Sequence, residues 1–373
     1  MYKVTLNNKT MKKYLVMAMM AAVTMFSFTS CDKDDDTKNN YTTYQEAVDS
    51  QVKKEKKNDK AILLVAFGST WQCAFESFDN TKKAYEEAFK DCDVYVSYSS
   101  AICINRAAAG EHEVARDYYA PNFWLHSLAA AKYDEIIVQS LQVIPGEEYG
   151  RVINYIKDLG NNYLRDLDDE YLSEVTLRLG TPLLNSLDDV KKVAKVLNDE
   201  FGEDAKTKTV AFMGHGNPSS EEHDYDIYKA NVRYDQLEEE LQKYSKNYFV
   251  GTVDQPENKK ENVWERIQAG AGVPASKEMV LQALMSIAGD HGHNDMYGSG
   301  DEYWDDEEPE SEDNSWYEYF MNEAKYKKMS NHSLKSGELR GLLDIPSVLN
   351  VWIEHTKDNI KLEDAYHSMF PED

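Results

Sequence analysis

The apolar positions of this chain form short continuous runs that alternate with longer segments of helical periodicity. The run at residues 61–67 is apolar throughout and ends in Gly68-Ser69-Thr70. A short strand that is apolar on both faces is typical of the centre of a parallel sheet. Further strands are predicted at residues 94–98, 134–143, 175–179, 210–213, 248–253 and 279–285.

Helical segments separate the predicted strands. They lie at residues 78–89, 114–132, 146–159, 187–201, 225–244, 262–269, 316–328 and 348–361. Strands that alternate with helices indicate βαβ units, because two neighbouring parallel strands need a crossover between them. The pattern therefore predicts an α/β fold with parallel sheets.

One pattern of strand and turn occurs twice. Residues 139–148 and 282–291 share Gln, Leu, Ile and Gly in register, followed in each copy by an acidic residue. A second similarity lies upstream, between residues 65–69 and 210–216, at about the same offset. A chain that repeats such units at one offset is predicted to form two similar, doubly wound lobes.

The limits of the two lobes follow from this repeat. The second copy starts at Thr209, so we place the boundary within residues 185–206. The N-terminal lobe then comprises residues 61–195 and the C-terminal lobe residues 196–373, with the last two predicted helices closing the second lobe. A chain of 373 residues is long enough for each lobe to have its own core.

The N-terminal segment is predicted to direct export. Lys12-Lys13 precedes an apolar stretch at residues 14–28, shorter than the ~20 residues that span a bilayer. We expect residues 1–30 to be a lipoprotein-type signal peptide, cleaved before a lipidated Cys31; a plain signal peptide with an incidental Cys is the alternative. Residues 31–60 are polar and are predicted to be a disordered tether. The predicted location is the outer membrane, through the lipid anchor only. The acidic cluster after Cys31 resembles the export signal of surface-exposed lipoproteins.

Charge and cysteine content argue against two classes of protein, those that bind nucleic acids and those built on disulfides. The formal net charge is −26, which disfavours nucleic-acid binding because phosphate contacts require a basic surface. Beyond Cys31 there are three cysteines, and an odd number excludes a full disulfide framework. The acidic segment 297–314 is predicted to be a solvated loop, with cation collection as the alternative.

Chemically useful side chains follow the predicted strands. Glu148 ends the first copy of the repeat, His291 ends the second, and His215 lies between two glycines after another strand. Ligands of open α/β sheets bind beyond the carboxyl ends of the strands. Two facing lobes would bring one carboxylate and two imidazoles to a shared cleft, which predicts metal or proton chemistry.

The same residues resemble a known family. The motifs at residues 67–70, 139–149, 179–184, 212–216 and 288–296 occur in order and resemble the anaerobic sirohydrochlorin cobaltochelatases. The resemblance implies a chelatase-like fold of class II, with the macrocycle in an active cleft between the lobes. It implies that His215 and His291 bind the metal and take part in its insertion, with Glu148 on the opposite wall. Asp254 takes the place of a metal-binding glutamate of the family.

Further residues are candidates for ligand contacts. Phe67 and Trp71 could line an aromatic pocket, and His293 is an additional imidazole that could hold metal. The candidates for binding the tetrapyrrole are Ser69, Thr70, Gln142, Tyr149, Gly214, Gly216 and Arg106. The expected metal is Co²⁺, with Fe²⁺ and Ni²⁺ as alternatives because imidazole suits all three. No nucleotide is expected.

These observations predict a chelatase of the lyase class that inserts Co²⁺ into sirohydrochlorin. His215 and His291 would hold the metal and accept the pyrrole protons. The predicted export leaves two alternatives open. One is a surface lipoprotein that binds haem, or removes its iron, beside an outer-membrane transporter. The other is a non-catalytic protein that binds a metal or a corrinoid.

Overall fold

The structure is a computed structural model, and it describes part of the chain. The described residues are 35–112, 114–161, 165–217, 229–298, 315–322, 324, 326–330 and 339–365. The chain divides into two compact units, Met1–Thr43 and Tyr44–Asp373, and both sheets lie in the second unit. The predicted signal segment, Cys31 and residues 299–314 lie outside the described residues, so export and lipidation stay predictions.

Two four-stranded sheets form the framework of the second unit. The first sheet has the strand order β2-β1-β3-β4 and the second has the order β6-β5-β7-β8. All neighbouring strands within each sheet are parallel. The equivalent order of the two sheets confirms the predicted α/β fold with two similar lobes. The strands are β1 (Lys60–Ala66), β2 (Cys92–Tyr98), β3 (Glu135–Ser140), β4 (Thr176–Gly180), β5 (Thr209–Gly214), β6 (Tyr248–Thr252), β7 (Glu278–Ala283) and β8 (Lys328–Ser330).

Helices connect the strands and cover the sheets. They are α1 (Asp35–Glu55), α2 (Gln72–Ala88), α3 (Ala101–Ala109), α4 (Pro121–Ala130), α5 (Glu147–Lys157), α6 (Asp169–Glu174), α7 (Leu187–Ala205), α8 (Val232–Leu241), α9 (Lys260–Ala269), α10 (Trp316–Asn322) and α11 (Pro346–Lys357). A π-helix covers His291–Tyr297, and 3₁₀-helices cover Asp158–Asn161, Pro256–Asn258, Leu342–Asp344 and Leu362–Asp364. Within the described residues, no helix is both long and apolar enough to cross a bilayer.

The two sheets share a central hydrophobic core. In β1, Ile62 and Leu64 face this core, whereas Leu63 and Val65 face a separate core on the other side of the first sheet. From the second sheet, Phe212 packs into the same central core. Burial on both faces explains the uninterrupted apolar run of β1. The lobes therefore share one core, and each also has a core of its own on the other side of its sheet.

The chain crosses between the lobes at α7, which spans Leu187–Ala205 within the predicted boundary region 185–206, so the division at 195/196 falls inside this helix. The chain crosses back near its end, which the sequence did not indicate. Helix α11, expected to close the second lobe, packs against β3 and β4 of the first sheet. Its Thr356 Oγ1 donates to Gln139 Oε1 at 2.7 Å. An apolar stripe shows that a helix is buried, but not which sheet buries it.

Helix α1 corrects part of the prediction for residues 31–60. Over residues 45–55 it packs on the first lobe in place of a disordered tether. Gln45 Nε2 donates to the Phe123 carbonyl at 3.0 Å, and Val48 and Val52 are buried. The two valines stand four residues apart and share one helix face. The many charged and polar residues around them concealed this short stripe in the sequence.

Buried His126 on α4 should make the fold sensitive to acid. Its side chain is 1% exposed, and burial, followed by the positive charge of Arg165, lowers its pKa to about 4. The unfolded chain would have the ordinary histidine pKa of about 6.5. The neutral ring therefore contributes stability that is complete above pH ~6.5 and is lost as the pH falls through about 4. Urea midpoints measured between pH 7 and pH 4 test this. The fall in the urea midpoint between pH 7 and pH 4 should be smaller in His126→Gln than in the wild-type chain. An equal fall in both proteins would contradict the prediction.

Candidate active site

The candidate residues converge because parallel strands end at a common edge of each sheet. Ser99 follows β2, and Glu148 lies in the first turn of α5, after β3. In the second lobe, His215 follows β5, Asp254 follows β6, and His291 begins the π-helix after β7. Strand order reverses direction next to β1 and β5, and such switch points are the usual ligand sites of open α/β sheets.

The turn after β5 fixes the ring of His215. His215 Nδ1 donates to the carbonyl of Gly216 at 2.6 Å. A carbonyl can only accept, so Nδ1 carries the hydrogen, and Nε2 of the neutral ring keeps its lone pair. Gly216 has a φ of +87°, and a Cβ there would lie 3.1 Å from Thr252 Cβ. The glycine is therefore required by the turn that orients the imidazole.

The ring of His291 is fixed in the same tautomer by a carboxylate. Its Nδ1 donates to Asp295 Oδ2 at 2.6 Å, which leaves Nε2 available as a ligand. A carboxylate behind a histidine in this way is common at metal sites, where it orients the ring and raises its basicity. Asp295 lies four residues after His291, in the same π-helix.

The two imidazoles lie side by side. The ring centroids of His215 and His291 are 4.6 Å apart, with the rings at 80° to each other. Asp254 Oδ2 lies 3.5 Å from His215 Nε2. Both histidine side chains are partly exposed, at 44% and 41%, so a substrate can reach them. Among the described residues, no group of three or more His, Cys, Asp or Glu side chains is arranged to hold a metal ion.

Their surroundings shift the pKa values of His215 and His291 in opposite directions. Burial and the charge of His291 lower the pKa of His215, against the raising effects of the Gly216 carbonyl and Asp254. Burial also lowers the pKa of His291, but the hydrogen bond and the charge of Asp295 outweigh it, so that pKa is raised. These directions make His215 the ring of the pair that more readily stays neutral.

Glu148 is a partly buried carboxylate of the first lobe. Ser99 Oγ donates to Glu148 Oε2 at 3.3 Å, and Arg151 Nη1 lies 3.2 Å from Oε1. Burial, followed by the charge of Glu147, raises the pKa of Glu148 in spite of Arg151 and Ser99. A carboxylate with a raised pKa is suited to proton transfer nearer to neutral pH.

The turn that carries Glu148 contacts the turn that carries His215. The Glu147 backbone N–H donates to Asn217 Oδ1 at 3.4 Å. A Cβ on Gly146 would lie 2.4 Å from Asn217 Nδ2, so a larger residue there would displace the Asn217 side chain. The predicted acid and the predicted imidazole therefore stand on adjoining turns of opposite lobes.

Other predicted ligand residues have mainly structural contacts. Ser69 and Thr70 are buried, and Thr70 Oγ1 is 2.6 Å from His112 Nδ1. Gln142 accepts a hydrogen bond from Ser140. Gly214 is the buried last residue of β5. Each lies in a turn or strand end beside the candidate site, and the structure gives these residues a role in shaping it.

Two predicted contacts do not fit the structure, and a third residue makes a surface ion pair. Tyr149 is fully buried in the core on the outer side of the first sheet, so it cannot line a ligand pocket. His293 is 8% exposed and stacks on Trp71, which does not fit the predicted role as a metal ligand. Arg106 Nε pairs with Glu111 at 3.4 Å on the surface. Tyr149 and His293 are next to site residues in the sequence, but the sequence does not show the direction of their side chains.

Asp295 and Asn217 were missed in the sequence. Asp295 could have been recognised from its spacing of four residues from His291, which places both on one face of a helical segment. Asn217 follows His215 by two residues, and no local pattern indicates that it reaches the opposite lobe.

Fold and site together define a two-lobed α/β protein with a histidine pair where the strands of the second sheet end. The profile of the cobalt chelatase (CbiK) family matches residues 60–361. The chain therefore belongs to this family and is a metal chelatase, as the resemblance predicted.

Comparisons with individual proteins agree with the family. The chain is 27% identical over 246 residues to sirohydrochlorin cobaltochelatase CbiKC of Nitratidesulfovibrio vulgaris, covering 66% of this chain and 78% of that protein. It is 26% identical over 247 residues to sirohydrochlorin cobaltochelatase of Salmonella typhimurium, covering 66% and 83%. A solved structure, SirB from Bacillus subtilis with Fe³⁺, covers 80% of this chain and 94% of its own, with a TM-score of 0.50 and 12% identity. This last similarity concerns the fold.

Proposed function

We propose that the protein inserts Co²⁺ into sirohydrochlorin. Two curated relatives carry the name of this activity, and the family matches most of the chain. The observation that carries the proposal is the histidine pair: His215 and His291 lie 4.6 Å apart, and each has Nδ1 engaged and Nε2 available. Imidazole nitrogen is a suitable ligand for divalent cobalt.

The metal is a substrate in this proposal and must be released to the macrocycle. His215 Nε2 and His291 Nε2 would hold it, with Asp254 supplying negative charge beside them. Few protein ligands are an advantage here, because each protein–metal bond must be replaced by a bond to a pyrrole nitrogen. The partly exposed faces of both rings leave room for that exchange.

Insertion also requires the removal of protons. A divalent metal replaces two N–H protons of the macrocycle, so one turnover releases two protons. Once the metal has passed from His215 Nε2 to the macrocycle, that nitrogen is free to accept one proton, because the lowered pKa of His215 keeps the ring neutral until then. Glu148, on the adjoining turn of the other lobe, is suited to accept the second because its pKa is raised.

The direct test is an insertion assay with the purified full-length chain. Sirohydrochlorin and Co²⁺ are mixed without oxygen, and the absorption change of the macrocycle is followed against the rate without protein. We expect saturable insertion that is faster than the spontaneous rate, with the release of two protons per cobalt in weakly buffered solution. A rate equal to the spontaneous one would contradict the proposal.

A second arm of the assay uses haem. Tight haem binding, read from a shift of its Soret band, with no cobalt insertion would favour the haem-binding alternative instead. Loss of iron from bound haem under reducing conditions would favour the iron-removing alternative. Cobalt insertion without either haem response supports the proposed activity.

A further inference from the structure

Trp71 of the first lobe lies between two histidine rings. It is the last residue before α2. Its indole stacks on His112 with ring centroids 4.1 Å apart and 19° between the planes. It also stacks on His293, at 3.6 Å and 11°. Two parallel rings at these distances cannot share one face of the indole, so they cover both. His112 belongs to the first lobe and His293 to the second.

The indole N–H is held by the second lobe as well. Trp71 Nε1 donates to Asp290 Oδ1 at 2.5 Å. Asp290 directly precedes His291, and His293 follows it by two residues. The first lobe therefore contacts the segment on both sides of one histidine of the pair. A charge-assisted hydrogen bond and a stacked ring both depend on direction as well as distance. Together they therefore fix where Asp290 and His293 lie relative to Trp71.

His215 is held differently. Its ring bonds to the carbonyl of Gly216, and the Gly216 N–H donates to Tyr234 Oη at 3.3 Å. These partners belong to the second lobe, as His215 does. The ring of His215 is therefore bonded within its own lobe, and the opposite lobe contacts its turn at Asn217. The segment of His291 is contacted from the opposite lobe on both sides of the histidine.

We propose that Trp71 is a positioning residue for metal insertion. From the first lobe, it holds Asp290 and His293 and thereby fixes His291 at the separation from His215 that lets both rings bind one metal ion. This inference rests on the proposed function. Trp71 acts through the backbone of residues 290–293, and small displacements of reacting groups have large effects on rate.

The test compares Trp71→Leu and Trp71→Phe with the wild-type chain. Trp71→Leu removes both the stacking and the donor, and we expect kcat for cobalt insertion to fall about tenfold, with KM for sirohydrochlorin unchanged. Trp71→Phe retains a ring that can stack, so its kcat should fall less than that of Trp71→Leu. In a second measurement, Co²⁺ alone is titrated and its visible absorption is recorded. Trp71→Leu should bind Co²⁺ more weakly and alter the band, because the band intensity reports the ligand geometry.

Trp264→Leu is the matched control. Trp264 lies on α9 and contacts Tyr326 on the outer side of the second sheet, so its loss should leave kcat and the Co²⁺ band unchanged. Wild-type kcat and a wild-type band in Trp71→Leu would overturn the inference. If circular dichroism shows that Trp71→Leu does not fold, Asp290→Ala is scored by the same criteria. If the wild-type chain binds Co²⁺ without turnover, the proposed function fails. The role of Trp71 is then decided by comparing the Co²⁺ absorption band of Trp71→Leu with that of the wild-type chain.

Discussion

Replacing His215 or His291 by alanine should reduce kcat for cobalt insertion by about 10²–10⁴-fold, the range that general-base groups contribute. Each change removes one of two imidazoles whose centroids are 4.6 Å apart. His215→Ala also removes the neutral base, and His291→Ala removes the ring that Asp295 orients. The measurement is the insertion assay under saturating sirohydrochlorin, together with a Co²⁺ titration.

The double variant makes this prediction sharper. If both rings hold the same ion, losing the second should cost little once the first is gone, because groups that act as a unit are not additive. Lys195→Ala is the control, since Lys195 is 64% exposed and pairs with Asp199 on the surface of α7. A single variant that retains the wild-type rate would show that the pair does not act together. A fall in kcat of the double variant equal to the product of the two single falls would also show that the two rings act independently.

Replacing Asp295 by alanine should lower kcat for cobalt insertion by about 10–100-fold, the usual cost of losing the residue behind a metal-binding histidine. Without the carboxylate, the hydrogen bond that keeps the hydrogen of His291 on Nδ1 is lost, so the ring can rotate and change tautomer more easily. Asp295→Asn keeps an oxygen that can accept from Nδ1 but loses the negative charge. We therefore expect Asp295→Asn to fall between the alanine variant and the wild-type chain.

Metal affinity and rate should fall together in the Asp295 variants. Both are measured with Co²⁺ titration and the insertion assay. Asp199→Asn, which removes the charge of a more exposed surface carboxylate on α7, should change neither. An unchanged Co²⁺ affinity in Asp295→Ala would mean that the bond to His291 has no part in holding the metal.

The sequence made much of the fold predictable because local patterns report burial directly. The apolar run at residues 61–67 predicted a central strand, and β1 is found at Lys60–Ala66. The internal repeat predicted two similar lobes, and the two sheets have equivalent strand orders. The family was also recognisable, since its motifs are short, ordered segments at strand ends.

The candidate site was predictable to a smaller extent. The sequence singled out His215 and His291 as strand-end residues, and the family resemblance added Asp254. The structure brings these three together. The sequence did not single out Asp295. It also assigned ligand roles to Tyr149, which is a core residue, and to other neighbours of the site. The position of a residue in a loop is local information, but the direction of its side chain depends on the packing of the whole turn.

What the sequence determined by itself is the type and order of the elements, because hydrophobic periodicity and turn residues act over a few positions. Only the tertiary structure decided which surfaces meet. It joined the two sheets in one core, returned α11 to the first sheet, and placed Trp71 against the segment of His291. These contacts link residues far apart in the chain, and their energy depends on packing between faces that no local pattern specifies.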